Sequence, residues 1–286
     1  MALRKLSVPK VVLLTLAAFA RPASAADGQL VQLRDSDLRV ASVGLRLFTA
    51  NAPRCPALNP GTGMILHSLA QYPGASREAA METWTFPSQV SVEAVVPGSP
   101  AERAGLRTGD GIVAIAGFTL PPEPPPGSHS TSLRDSAEIH LQSLPPAGEI
   151  PVTVKRQEKT LSLVLAPVPA CRTRLEVVAG TALKARSDGS TIQLGQDFVA
   201  QISDSELAFV IAHELAHTIS QHRTRLSALE RDKSMLAKRQ RHALARQFED
   251  DADVLALDLL ANAGWNPAAA PNFMRTKGYK FEPLIR

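Results

Sequence analysis

Residues 203–222 read SDSELAFVIAHELAHTISQH, and this stretch decides the fold of the last third of the chain. Ser203 and Glu206 have the spacing of a capping box, so we expect a helix to begin here. Apart from the polar residues at 213, 214 and 217, residues 207–217 are all apolar, which predicts a buried helix. Polar side chains inside a buried helix need partners, and a metal ion is one such partner.

The polar residues in this helix are His213, Glu214 and His217, which form an HExxH motif. Side chains four residues apart lie on the same face of a helix, so both histidines can present a ring nitrogen to one ion. Glu214 is rotated by about 100° from His213 and can reach a bound water. The motif therefore predicts one catalytic Zn²⁺ per chain, with Glu214 as the general base.

Two histidines leave a catalytic zinc site incomplete, because such sites normally have three protein ligands and an open position. The metzincin pattern requires Gly and His at the positions that Ser220 and Arg223 occupy here. The third ligand is therefore expected to be a carboxylate on another helix. Residues 243–263 are predicted to form such a helix, which Gly264 and Pro267 would end.

Within that helix, Glu249-Asp-Asp-Ala-Asp253 resembles the ExxAD element of the M48 metallopeptidases. The stretch 206–222 is also typical of that family, and the resemblance covers residues 174–270. It implies that His213, His217 and Glu249 are metal ligands, that Glu214 is the catalytic base, and that Asp253 orients one of the histidines. Helix geometry agrees, because Glu249 and Asp253 are four residues apart and lie on one face.

Other polar residues near these motifs have simpler interpretations. Asp250 and Asp251 point away from that face and are expected to be solvated or to pair along the helix. His222 is expected to make a structural hydrogen bond and not to bind the metal. His242 is expected at the surface. Arg275, Lys277 and Tyr279 are candidates for stabilising the oxyanion by polarity alone.

The middle of the chain is rich in proline and in short β-prone runs, which indicates a separate small domain. The predicted elements are strands at 89–96, 111–116, 150–155 and 160–165, and an amphipathic helix at 132–144. Between the first two strands, residues 97–110 read PGSPAERAGLRTGD, followed by GIVAIAG at 111–117.

This segment resembles the bacterial PDZ domains of envelope proteases, over about residues 81–168. The resemblance implies a peptide groove between the strand Val90–Val96 and the helix Ser132–Leu144, where a polypeptide can add as an extra strand. The loop before that strand, Trp84-Thr-Phe-Pro87, lacks the glycine turn that usually binds a C-terminal carboxylate. Trp84 and Phe86 can either line a pocket or belong to the core.

A further strand is predicted outside the PDZ segment, just before the HExxH helix. Here Thr191-Ile-Gln-Leu-Gly-Gln-Asp-Phe198 alternates polar and apolar residues. In gluzincin-like folds such an edge strand pairs with the substrate backbone, and this resemblance makes Gln193 and Gly195 candidates for that contact. An ordinary strand inside a sheet is the alternative.

The N-terminus has the features of a secretory signal peptide. Basic residues precede the apolar run Val11–Ala20, and Ala23-Ser-Ala25 supplies a cleavage site. A membrane anchor is the alternative, but the run is about half of the ~20 residues that span a bilayer. We therefore expect residues 1–25 to be removed, and the mature chain to be exported without a transmembrane segment.

Removal of this segment changes the charge balance, because its four basic residues account for the formal net charge of +4. The mature chain is then near neutrality, and no nucleic-acid partner is expected. The two cysteines, Cys55 and Cys171, would lie in an oxidising compartment. We predict a disulfide between them that ties together the two sides of the PDZ segment; a pair of buried free thiols is the alternative.

The expected fold is α+β, a gluzincin-like and mainly helical metallopeptidase domain interrupted by a small β-rich PDZ domain. Its divisions are residues 1–25 (signal peptide), 26–80 (first part of the peptidase domain), 81–168 (PDZ domain) and 169–286 (catalytic domain). The favoured function is a zinc endopeptidase acting on unfolded or misassembled envelope proteins recruited through the PDZ groove. The alternatives are a catalytically idle, zinc-containing peptide-binding scaffold and a zinc hydrolase acting on a non-peptide bond.

Overall fold

The computed structural model of the protein describes residues 25–122, 125, 129–180, 184–228 and 234–277. The signal peptide expected at residues 1–25 thus lies outside the described residues, except for its last position. The helices are α1 (Ala25–Ala50), α2 (Ala75–Thr83), α3 (Pro100–Arg103), α4 (Ser132–Ser143), α5 (Gln196–Gln201), α6 (Asp204–Ile219), α7 (His222–Ser227), α8 (Met235–Asn262) and α9 (Ala269–Lys277). The strands are β1 (Leu58–Gly61), β2 (Met64–Ser68), β3 (Val90–Val95), β4 (Gly111–Ile115), β5 (Phe118–Thr119), β6 (Ile150–Arg156), β7 (Lys159–Leu165), β8 (Val168–Cys171), β9 (Arg174–Val178), β10 (Ala185–Ser187) and β11 (Thr191–Gly195).

The predicted α+β class is confirmed, because a β-rich region in the first half is combined with a mainly helical region. The β-rich region is an antiparallel sheet in the order β2-β3-β4-β6-β7, with β5 beside β4. Alternate residues of β6 are buried, and α4 buries Leu133, Ala137 and Leu141 in the same core. Helix and strand periodicities therefore point to one shared core, as the sequence predicted.

The strand β2 gives this sheet an edge that lies outside the predicted PDZ segment. Met64–Ser68 pairs antiparallel with β3, and Leu66 packs in the core of the sheet. A domain boundary at residue 81 would separate this strand from the sheet to which it is hydrogen-bonded. The sequence signal was weak here, because β2 is only five residues long and precedes the recognisable segment.

The helical region is organised around α6. Ser203 and Glu206 form the expected capping box, and every residue from 207 to 217 is buried. Around α6 lie α1, α8 and α9, and a three-stranded sheet in the order β10-β11-β9 completes this core. Gly264, with a positive φ of 70°, follows the end of α8, where the sequence predicted a stop.

The helix α1 joins the two regions. It spans 26 residues. Arg39 donates hydrogen bonds to the Val199 and Ile202 carbonyls and pairs with Asp204 at the start of α6. Asn51, near its other end, donates to the Leu259 carbonyl of α8. These contacts attach α1 to α6 and α8, the two helices that carry the candidate site described below.

Cys55 and Cys171 are joined by a disulfide across a sequence separation of 116, with their Cα atoms 5.4 Å apart. Beside it, β1 and β8 pair antiparallel, with Leu58 opposite Cys171 and Gly61 opposite Val168. The chain therefore leaves the helical region and returns to it at one place.

Charged side chains meet where α1, β3, α4 and β9 come together, and we call this group the junction cluster. Arg134 pairs with Glu176 at 3.1 Å, and Arg174 pairs with Glu138 at 2.9 Å. Glu93 is 5% exposed, and no described residue donates a hydrogen bond to its carboxylate. The members of the junction cluster are Asp37, Glu93, Arg134, Asp135, Glu138, Arg174 and Glu176.

A cavity of about 70 Å³ lies inside the junction cluster and is lined by most of its members. Burial raises the pKa of the Glu93 carboxyl, and the neighbouring Asp37 adds to this effect. Burial likewise raises the pKa of Asp37 to about 7, although the Val177 N–H and Arg134 act in the opposite direction. Burial therefore favours the protonated form of Asp37 and Glu93.

No helix within the described ranges is both long enough and apolar enough to cross a membrane.

Candidate metal centre

The helix α6 places His213 and His217 one turn apart on the face that meets α8. Their Nε2 atoms are 3.0 Å apart, and the residues are 1% and 5% exposed. Ala252 and Ala256 of α8 are fully buried beside this face. Small residues let two helices approach closely, so a side chain from α8 can reach both imidazoles.

That side chain is Glu249. Its Oε2 lies 3.4 Å from the His213 Nε2 and 3.7 Å from the His217 Nε2. The three donor atoms are all within 4.8 Å of one another, and no other such group was found among the described residues. The structure thus brings together the three side chains that the sequence proposed as ligands.

These residues fit a bound metal ion. The second carboxylate oxygen of Glu249, Oε1, is buried without a hydrogen-bond partner, which is costly unless a cation or a water satisfies it. Two imidazole nitrogens and one carboxylate oxygen are also a donor set that catalytic metal sites use, with a position left open.

Electrostatics in the centre favour an anionic carboxylate next to cationic groups. Burial raises the pKa of Glu249, but the hydrogen bonds of His213 and His217 outweigh it and lower this pKa to about 2. Burial lowers the pKa of His213, but hydrogen bonds to Asp253 and Glu249 outweigh it and raise this pKa to about 9. The site without metal therefore attracts positive charge, which a metal ion can supply in place of protons.

Asp253 lies one turn after Glu249, and its Oδ1 is 2.8 Å from the His213 Nδ1. The sequence could not say which histidine this carboxylate orients, and the structure shows that it is His213. An imidazole that donates from Nδ1 has its Nε2 lone pair free for a metal. Asp250, Asp251 and His242 are exposed, as expected for residues without a role in the site.

Glu214 follows His213 on the inner side of α6 and is 5% exposed. Burial raises the pKa of its carboxyl, whereas His213 and His217 act to lower it. Among the described residues, none donates a hydrogen bond to this carboxylate. It is therefore available to a water or a substrate.

A cleft of about 570 Å³ opens beside His217. Its lining includes the disulfide of Cys55 and Cys171 and the turn 188–190 between β10 and β11. Thr218 and Arg223 line it near the end of α6. Among the residues of the candidate metal centre, His217 is the one that lines this cleft.

The strand β11 is not an edge strand, so the expected role of Gln193 and Gly195 in substrate pairing is wrong. β11 pairs antiparallel with β10 on one side and parallel with β9 on the other. The Gln193 side chain donates to Glu176 and accepts from Arg186 within the same sheet. The three-residue β10 occupies the outer position, and α6 contacts it.

The predicted peptide groove is also displaced by one strand. β3 is covered on both sides by β2 and β4, so a peptide cannot add to it. On this side of the sheet the edge strand is β2, which α4 contacts directly. The residues before β2 include Gly61 and Gly63, whereas Trp84 and Phe86 pack with Tyr72 in a small core.

The space beside β2 is shared with α1. A cavity of about 180 Å³ lies between the segment 59–65, α4 and α1. Leu45 of α1 is close enough that a Cβ atom at Gly61 or Gly63 would approach its side chain to 3.3 or 3.2 Å. The edge that would receive a peptide therefore faces the helix that is anchored to α6 and α8.

The oxyanion candidates do not converge on the centre in the described residues. Arg275 is exposed and donates to Asn272 on its own helix. The side chain of Lys277 and the whole of Tyr279 lie outside the described residues. His222, which the sequence assigned a structural hydrogen bond, lies 2.9 Å from His217 between their Nδ1 atoms.

Comparison with protein families identifies both regions. A family model described as "PDZ domain" matches residues 91–119, and one described as "Putative metallopeptidase domain" matches residues 160–280. No curated protein matches the chain. The chain therefore combines a PDZ segment with a metallopeptidase-like domain that contains all the residues of the candidate metal centre.

Solved structures resemble parts of the chain. The HtrA3 PDZ domain bound to a phage-derived ligand (FGRWV) has a TM-score of 0.29 and 19% identity, covering 39% of this chain and 88% of that one. The HtrA-type protease AlgW with a decapeptide has a TM-score of 0.30 and 18% identity, covering 39% of this chain and 30% of that one. A serine endoprotease from Yersinia pestis has a TM-score of 0.22 and 21% identity, covering 28% of this chain and 25% of that one. The chain spans less than a third of the length of the latter two proteins.

Proposed function

We propose that this protein is an exported zinc metalloendopeptidase of the M48 type that hydrolyses peptide bonds in unfolded or misassembled envelope proteins. The observation that carries the proposal is the convergence of His213, His217 and Glu249 within 4.8 Å, with Glu214 next to the first ligand. A purely structural site would not need an additional buried carboxylate beside its ligands. The ExxAD spacing of Glu249 and Asp253 supports the M48 assignment.

Zinc suits this donor set, because it accepts imidazole nitrogen and carboxylate oxygen in a four-coordinate site with one open position. When bound, it would lower the pKa of a water and polarise the scissile carbonyl.

The side chains of this protein would perform the proton transfers. Glu214, which no described residue hydrogen-bonds, would take a proton from the attacking water and pass it to the leaving amine. Asp253 would hold the His213 ring through the 2.8 Å contact at Nδ1. Burial of both histidines excludes bulk water and strengthens these electrostatic interactions.

The substrate would lie in the cleft beside His217. β10 forms the outer strand next to α6, so we propose that an extended substrate segment pairs with β10 instead of β11. A chain in this position would run past the turn 188–190, which lines the cleft.

The PDZ domain would recruit polypeptides at the edge of β2, beside α4. We propose that the domain includes β2 and therefore begins before residue 81. A peptide side chain entering the cavity of about 180 Å³ would meet Leu45 of α1. Hydrogen bonds attach α1 to the start of α6 and the end of α8, so α1 would connect this edge to the helices of the metal centre.

Export is proposed from the leader-like residues 1–25 and is supported by the disulfide, which persists in oxidising compartments. We expect the mature protein to begin at Ala26. Mass spectrometry of the N-terminus after expression in a bacterium tests this, and an intact Met1 would contradict it.

The enzyme assignment is tested by Glu214→Gln, with zinc content and degradation of unfolded casein as the two measurements. We expect zinc to be retained and cleavage to fall by about 10²- to 10⁴-fold, the usual contribution of a general base. Glu158→Gln, in an exposed turn, is the matched control and should cleave normally.

Equal cleavage by the wild type and Glu214→Gln would contradict the assigned mechanism. If neither cleaves casein but both bind unfolded peptides, the protein is a zinc-containing scaffold. Hydrolysis of a non-peptide ester, lost in Glu214→Gln, with no proteolysis by the wild type would indicate the third class of function.

A further inference from the structure

His222 contacts the second histidine of the motif in the same way that Asp253 contacts the first. The Nδ1 atoms of His217 and His222 are 2.9 Å apart, and His222 is 1% exposed. A hydrogen bond between two imidazole nitrogens requires one to donate and the other to accept. The protonation of the two rings is therefore linked.

The surroundings of His217 determine which ring donates. Its Nε2 faces the His213 Nε2 at 3.0 Å and the Glu249 Oε2 at 3.7 Å, so this nitrogen is the one turned toward the metal centre. A ligating Nε2 must be unprotonated, which places the His217 proton on Nδ1. His222 must then accept with its own Nδ1.

The ring of His222 is held in place by packing on α8. It stacks on Phe248 with a centroid distance of 4.0 Å and an interplanar angle of 2°. Arg225 also lies over the Phe248 ring, 4.3 Å from its centroid. Phe248 directly precedes Glu249, so the packing that fixes His222 belongs to the same turn of α8 as the third ligand.

The chain between α6 and α7 is shaped to return His222 to this position. Gln221 adopts a left-handed conformation, with a φ of 53°, and His222 begins α7 directly after it. This conformation is unfavourable for a residue other than glycine, so the surrounding structure must stabilise it. The turn reverses the chain and brings an imidazole five positions after His217 back to its ring.

We propose that His222 is a positioning residue that accepts a hydrogen bond from the His217 Nδ1 and thereby holds the His217 Nε2 lone pair toward the metal. It is the uncharged counterpart of Asp253, which acts on His213. The proposal rests on the proposed metal centre, but it concerns metal affinity and histidine tautomer and does not depend on the identity of the substrate.

Two variants separate hydrogen bonding from packing. His222→Phe keeps a ring that can stack on Phe248 but has no acceptor, whereas His222→Asn restores an acceptor through its side-chain oxygen. Loss of a partner that orients a metal-bound histidine typically reduces metal affinity by 10- to 100-fold. We expect zinc affinity, measured by competition with a chelator, to fall by about this factor in His222→Phe and to recover partly in His222→Asn.

Nitrogen-15 NMR of the zinc-loaded protein, with histidine labelled, gives a readout that packing alone would not change. In the wild type, the His217 signal should show a protonated Nδ1 and a metal-bound Nε2. The thermal midpoint of each metal-free variant serves as the folding control.

Wild-type zinc affinity in a folded His222→Phe would overturn the proposal, as would a His217 signal with its proton on Nε2. If His222→Phe is unfolded, His222→Ala replaces it as the variant without an acceptor. Equal zinc affinities in folded His222→Ala and His222→Asn would then overturn the proposal. These measurements do not require cleavage. A negative result in the Glu214→Gln test can therefore be told apart from a negative result for His222.

Discussion

Glu249 at the metal centre and Asp37 in the junction cluster are both carboxyl groups largely removed from solvent, yet their surroundings favour opposite protonation states. At the metal centre, Glu249 lies within 3.4 and 3.7 Å of two imidazoles, and its pKa is lowered to about 2. In the junction cluster, Asp37 has a pKa raised to about 7, first because of burial. Two imidazoles beside Glu249 favour its anionic form, whereas burial favours the protonated form of Asp37.

The difference follows from how each group is assembled. Two of the three candidate ligands come from one helix turn, and the third comes from the helix packed against it. The junction cluster draws residues from α1, β3, α4 and β9, and its members include only two arginines. The candidate metal centre is therefore built from two packed helices. The junction cluster is built from four elements that meet at a broader interface.

The largest effect is expected for Glu249→Gln, which removes the only anionic candidate ligand of the metal centre while preserving side-chain size. We expect zinc affinity to fall by more than the 10- to 100-fold typical for loss of an orienting partner, and casein cleavage to fall with it. Chelator competition measures this change. Asp250→Asn, the exposed neighbour on α8, should bind zinc normally, and unchanged affinity in Glu249→Gln would remove this residue from the ligand set.

A smaller effect is expected for Asp253→Asn, because the amide oxygen can still accept a hydrogen bond from the His213 Nδ1 but carries no charge. Zinc affinity should fall by about 10-fold, the lower part of the range for such contacts. The matched control is Asp251→Asn, which makes the same charge change at an exposed position of the same helix. Equal affinities in the two variants would show that the charge of Asp253 is unimportant.

The smallest effect is expected in the junction cluster, where Glu93→Gln should change how stability depends on pH. The pKa of Glu93 in the folded protein is raised above its usual 4.5, chiefly by burial. A raised carboxyl pKa contributes stability that is complete below the unfolded value and is lost as pH rises through the folded value. Asp37, with a pKa of about 7, acts in the same direction.

The free energy of unfolding of the wild type should therefore decrease between about pH 5 and pH 8. Glu93→Gln cannot ionise, so we expect it to be more stable than the wild type at pH 8 by on the order of 1 kcal/mol and to differ less at pH 5. Urea unfolding at both values measures this difference. Glu158→Gln is the exposed control, and a wild-type slope in Glu93→Gln would contradict the assignment.

The sequence was most informative where the determining contacts are local. The spacing of His213 and His217, and of Glu249 and Asp253, depends only on the helical repeat, and the structure places these pairs together. The family resemblance added which residue of that second helix is the candidate third ligand. What the sequence could not supply was the partner of Asp253, because that depends on the packing of α6 against α8.

Prediction failed where strand pairing over long distances decides the outcome. β2 and β10 are short and have weak sequence signals, yet they cover the outer sides of β3 and β11. Alternation within a strand shows which residues are buried but not which strand lies beside it. Both the groove at β3 and the substrate edge at β11 were therefore assigned to strands that lie inside their sheets.

The chain leaves the helical region and returns to it beside the disulfide of Cys55 and Cys171. The residues between these two cysteines could therefore be replaced as one unit. With the two Cα atoms 5.4 Å apart and Gly61 opposite Val168, the ends of this excursion lie where a tight hairpin could join them. An inserted segment whose two ends are adjacent can be removed or replaced without changing the path of the surrounding chain. A different recognition domain could be inserted at the same place, provided that the surface of the new domain that faces α1 is redesigned.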